Sequence, residues 1–73
     1  MTFLLRHRNP YNETYYFVST GATYYSPSLE KTLHLISATT QDVAKARRFD
    51  TEDDAKTVLA RTGAKGWDVV REE

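Results

Sequence analysis

Helical periodicity occurs once in this chain, and late. Ala55, Val58, Leu59 and Thr62 recur at i, i+3, i+4 and i+7 and form one apolar stripe. Thr51 stands ahead of the stripe as a cap. With Asp54 three residues on, it makes a variant of the capping box, in which each side chain satisfies an otherwise orphaned backbone N–H. Asp50, Glu52, Asp53 and Asp54 crowd the end where the helix dipole favours negative charge. Glu52 and Lys56 pair at i, i+4 on the outside, and Gly63 supplies the left-handed residue that stops the helix. The pattern predicts one helix over about residues 52–62. So short a helix, with a single apolar stripe, needs a sheet to lie on.

The rest of the chain supplies strands. Thr2 to Arg8 (TFLLRHR) is apolar enough for one, and Asn9-Pro10-Tyr11-Asn12 behind it is a turn signal. Thr14 to Thr20 (TYYFVST) is dense in aromatic and β-branched residues. Its alternation puts Tyr15 and Phe17 on one face, Tyr16 and Val18 on the other. Gly21 permits a tight reversal into Ala22 to Ser26, which predicts a hairpin there, interrupted by Pro27-Ser28. Thr32 to Ile36 reads as a strand with Leu33 and Leu35 facing one way and His34 the other. After Gly66, Trp67 to Arg71 closes the chain as a strand. Thr39 to Phe49 stays open: Thr40-Gln41-Asp42 suits the cap of a short helical turn, and Ala46 to Phe49 suits an extended segment. Ala46 and Phe49 are expected to pack under the helix. The predicted fold is one α+β domain over residues 1–73, an antiparallel sheet of three to five strands with the helix across one face.

Composition narrows the chemistry. The chain lacks Cys, which excludes disulfides, thiolate nucleophiles and thiolate metal sites, and points to a reducing, cytoplasmic setting. The N-terminal Met1-Thr2-Phe3-Leu4-Leu5-Arg6 meets charge after three apolar residues, unlike a signal peptide. No apolar run approaches the roughly 20 residues that span a bilayer. Net charge is zero but uneven. Residues 1–49 hold six basic against three acidic residues, and residues 50–73 hold four against seven, so +3 is followed by −3. A duplex-DNA binder carries a stronger basic excess.

The stretch Thr40 to Ala55 (TQDVAKARRFDTEDDA) resembles a pattern in many small phage- and prophage-encoded proteins. Its marks are a Thr-x-Asp turn, an Ala shortly before a Phe, a Thr cap, and an Ala inside an acidic first turn. A short hydrophobic strand usually closes such proteins, as Trp67-Asp68-Val69-Val70 does here. The likeness covers roughly residues 40–73, and its motif is one of capping and packing without any catalytic residue. It implies a compact accessory protein, of a class that includes inhibitors of host defence of the anti-CRISPR type. Such proteins act by covering a surface of a larger host target.

Catalytic and metal signatures are missing from the pattern. His7 and His34 are far apart with no carboxylate at ligand spacing, and both read as strand-face residues. Ser19, Ser26, Ser28 and Ser37 fall at strand ends or turns, with no nucleophile elbow around them. None of the three glycines belongs to a phosphate-cradling loop. The expectation is a protein that is no enzyme and uses no cofactor or metal.

Tyrosine carries the most information. Five Tyr, including the pairs Tyr15-Tyr16 and Tyr24-Tyr25, exceed what one face of a small sheet can bury. Neighbours in a strand point to opposite faces, so one of each pair faces away from the helix. Tyr suits interfaces because its ring buries area while its hydroxyl finds a partner. Tyr16, Tyr24 and Tyr25 are therefore candidate contacts for a host protein or a second copy, together with the acidic helix start Glu52, Asp53 and Asp54. The alternative is a nucleic-acid accessory protein, with Lys45, Arg47 and Arg48 on phosphates and tyrosines stacked on bases.

Overall fold

A computed structural model describes residues 1–72. In chain order it contains β1 (Thr2–Arg8), β2 (Thr14–Ser26), β3 (Lys31–Thr40), a 3-10 turn (Val43–Lys45), α1 (Glu52–Thr62) and β4 (Trp67–Glu72). The four strands form one antiparallel sheet in the order β3-β2-β1-β4. The predicted α+β architecture is the one observed, with the helix where its stripe and caps place it.

Local chemistry accounts for the boundaries. The Asn9 side-chain oxygen accepts from the N–H groups of Tyr11 and Glu13, both at 3.0 Å, and Asn12 takes a left-handed φ of 66°, which Asn tolerates. Together these turn β1 into β2. Thr51 Oγ1 accepts from the Asp54 N–H at 3.1 Å, so the threonine half of the capping box is made. Gly63 ends α1 at φ 64°, and a Cβ there would lie 3.0 Å from Leu33 Cδ1. The left-handed conformation favours glycine here, and a Cβ would press on the Leu33 side chain.

The core lies between the sheet and α1. Leu5, Phe17, Phe49 and Ala55 are buried together, with Phe3, Ile36, Val58, Leu59, Trp67 and Val69 packed around them. Val58, Leu59 and Ala55 are three of the four stripe residues, and Thr62 is buried as well. On β1 the alternate residues Phe3, Leu5 and His7 pair with Arg71, Val69 and Trp67 of β4 on the helix side. Leu4 pairs with Val70 on the opposite face, yet is only 2% exposed.

The stretch left open by the sequence combines both of its alternatives. Asp42 caps the 3-10 turn by accepting from the Ala44 N–H at 3.0 Å. The chain then runs extended through the fork where β1 and β2 diverge. Arg47 N–H donates to Phe17 O at 2.9 Å, and Phe49 exchanges two bonds with Phe3, at 2.9 and 2.7 Å. Phe49 enters the core under α1 as expected. Ala46 is buried but lies outside that cluster. In an extended segment it points the other way, with Arg48, towards the helix-free face that holds Leu4.

One sequence expectation is corrected. Gly21 is no reversal: β2 runs unbroken from Thr14 to Ser26, and the chain turns instead between Ser26 and Lys31, where Glu30 has φ 54°. Gly21 is present because a Cβ would lie 2.9 Å from Ser37 Cβ on β3. Burial within β3 is uneven. Leu33 is 3% exposed and Leu35 49%. Leu33 lies against Gly63 at the end of α1, and register shifts between Phe17 and Thr23 add bulges that increase the hairpin's twist.

Candidate binding surfaces

Pairing between β1 and β2 ends at Arg6 with Tyr16, whereas β2 and β3 stay paired out to Ser26 with Lys31. Beyond Thr20 the hairpin is therefore a two-stranded arm projecting past the four-stranded part of the sheet. Tyr24 and Tyr25 lie on it across from Leu33 and Thr32, and the turn at its end carries Leu29. Tyr24 is 44% exposed, Tyr25 61% and Leu29 55%. The C-terminal end of α1 covers Leu33 next to Tyr24 but not the tyrosines themselves.

The predicted contact residues fall in three separate places. Tyr16 sits half-buried in the sheet, flanked by Arg6 and Thr40, on the face away from α1. It is nine positions from Tyr25, about 30 Å along a strand. Glu52, Asp53 and Asp54 are exposed at the start of α1, while the end of that helix meets the arm. Eleven helical residues, about 16 Å of axis, separate the acidic group from the arm. Tyr24 and Tyr25 share the arm but stand on its opposite faces, and Leu29 is exposed in the turn at its end.

The backbone of the acidic group takes part in the helix start. Thr51 bonds the backbone of Asp54, Thr57 Oγ1 bonds the carbonyl of Asp53 at 2.8 Å, and Glu52 pairs loosely with Lys56 at 3.8 Å. Asp50 and Asp54 also line an open groove of about 300 Å³, together with Phe49, Val58, Arg47 and Arg61. Arg47 lies over the Phe49 ring at 5.0 Å, a cation–π contact. Arg48 lines the groove as well, so three arginines and two aspartates surround it.

Arg48 is engaged inside the fold. Its Nε and Nη2 donate to the two carboxylate oxygens of Glu72 at 2.6 and 2.9 Å, a bidentate pair. Its Nη1 donates to Ala46 O at 2.9 Å and its Nη2 to Val43 O at 3.0 Å, tying down the 3-10 turn. Thr2 Oγ1 adds a third bond to Glu72. The hydrogen bond from Arg48 holds the Glu72 carboxyl below the usual carboxylate range and raises Arg48 in turn. Both side chains are about one-third exposed, so solvent screens the pair.

His7 Nδ1 lies 2.9 Å from Gly66 O, and its ring packs 5.2 Å from that of Trp67. Both contacts hold β4 at its start. Among the described residues, no three His, Cys, Asp or Glu side chains are grouped as ligands for a metal, and no helix is long and apolar enough to cross a membrane. Comparison of the chain with family models, curated proteins and solved structures finds no match.

Proposed function

We propose that this chain is a small non-catalytic binding protein that covers a surface of a larger protein with its hairpin arm. The exposure of Tyr24, Tyr25 and Leu29 on a ribbon beyond the sheet carries the reading. Apolar area removed from water contributes about 25 cal/mol per Å², and tyrosine rings present much of it at low entropic cost. The resemblance of residues 40–73 to small phage proteins supplies the partner's class. It is a host protein in the cytoplasm, with a CRISPR effector as the leading example. Glu52, Asp53 and Asp54 offer a second, acidic contact at the far end of α1.

Nucleic-acid binding through Arg47 and Arg48 has less support. Arg48 is occupied by Glu72 and the backbone, and the arm tyrosines lie far from Arg47. Titration of a purified host partner at two salt concentrations tests the choice. An arm-centred protein interface loses little affinity with added salt. A nucleic-acid contact loses affinity steeply as counterions compete for phosphate, and that slope would replace this reading with the other.

A further inference from the structure

The groove between α1 and the segment ahead of it is polarised. Arg47 bonds Phe17, one residue past the Arg6–Tyr16 pair, and Phe49 bridges Phe3 in antiparallel sense. Residues 47–49 therefore run back towards the start of β1. α1 then runs the other way, and by Gly66 the chain has reached His7. Asp50 and Asp54 stand at the end of the groove where the chain turns, and Arg47 and Arg61 towards the other end. Along α1, Asp54 and Arg61 are separated by about 10 Å, and both are exposed. Among the described residues, no ion pair joins Arg47 or Arg61 to either aspartate. Two anions and two cations thus face one groove, set apart along it, without satisfying one another.

We propose that this groove is the contact between two copies of the chain, their α1 helices lying antiparallel side by side. The order of charge selects the occupant. What fits must carry a cation at the aspartate end and an anion about 10 Å away at the arginine end. The stripe Asp54, Thr57, Val58 and Arg61, itself one wall of the groove, carries that pair at that spacing when reversed. A two-fold axis between Thr57 and Val58 sets Arg61 against the copy's Asp54, and Asp54 against the copy's Arg61. Thr57 and Val58 then face each other across the axis. The Thr57 hydroxyl already donates to Asp53 O, so packing that side chain on valine leaves no polar group without a partner. The copy's Asp54 also approaches Arg47, which is held over the Phe49 ring. The arm takes no part in this contact, and the inference stands without a host partner.

Sedimentation equilibrium of the full chain reads the claim, with mass rising towards twice that of the chain as concentration rises, and less so in high salt. Asp54→Lys and Arg61→Glu each set like charges against one another and should weaken self-association by at least about tenfold. Mixed in equal amounts, these two variants should associate again, because each supplies the charge the other lacks. Circular dichroism follows α1 in both. Asp54→Asn and Arg61→Gln, which disturb the helix less, should weaken the dimer in the same direction and by a smaller factor. A wild type that stays monomeric at millimolar concentration overturns the proposal and leaves the groove to a partner of another kind. So does a dimer that neither the charge-reversed nor the neutral variants weaken, or a mixture that stays monomeric although both variants keep their helix.

Discussion

The β2–β3 hairpin is one continuous element whose two halves live in different surroundings. Near its root, Phe17 is fully buried, stacked 6.3 Å from Phe49, under α1 and against the segment that fills the β1–β2 fork. Seven residues further out, Tyr24 and Tyr25 stand 44% and 61% exposed on a ribbon with no strand beyond either edge. Both halves are rich in aromatic residues, so composition does not separate them. Position does, because α1 is long enough to cover the root and ends at Leu33. In a chain this small, with seven buried hydrophobic residues among those described, leaving four large apolar side chains on the arm withholds much area from the core.

Substitution at the two halves sets the largest contrast. Phe17→Ala opens a cavity at a fully buried site and should destabilise the fold by about 3–5 kcal/mol in urea unfolding. A cost under about 1 kcal/mol would erase the difference between root and arm.

The helix cap is next in size. Thr51→Ala removes the bond to the Asp54 N–H and should cost about 1 kcal/mol, with Thr51→Ser retaining most of it. Equal loss in both variants would show that the hydroxyl contributes little.

A pH effect at the sheet's other end is smaller. Folding lowers the pKa of Glu72, so the folded chain keeps that carboxylate charged to lower pH than the unfolded chain does. Stability from the Arg48 pair is therefore complete above the ordinary carboxylate range and is lost as pH falls through the lowered value. Arg48→Met should flatten that part of the stability–pH curve. An unchanged acid limb would place the dependence on other carboxylates.

Much of this fold was legible because the helix carries redundant signals. The stripe of Ala55, Val58, Leu59 and Thr62, the Thr51 cap and the Gly63 stop agree, and agreement across levels specifies one structure. The arm was misread because Gly21 serves cross-strand space, and only the position of Ser37 reveals that. Alternation placed Leu35 on the face of Leu33, but it predicts a face and not how far the helix extends over it. The tyrosine pair at 24 and 25 was visible as a surplus of rings. The dispersal of Tyr16, the arm and the acidic group to three places depended on pairing register, which sequence does not carry. Arg48 entered the alternative reading as a phosphate contact because its partner, Glu72, is 24 residues away.

The smallest expected effect on stability belongs to the arm itself. Tyr24→Ala with Tyr25→Ala should change unfolding free energy by no more than about 0.5 kcal/mol for each exposed ring. That makes the double variant the cleanest probe of the central claim. Wild type, this variant and Asp53→Lys with Asp54→Lys should be compared by calorimetric titration against one purified host partner. The arm variant is expected to lose most of the affinity while remaining folded, since binding concentrates in a few aromatic contacts. The acidic variant should lose less. Full affinity in the arm variant, or loss confined to the acidic one, would contradict the account.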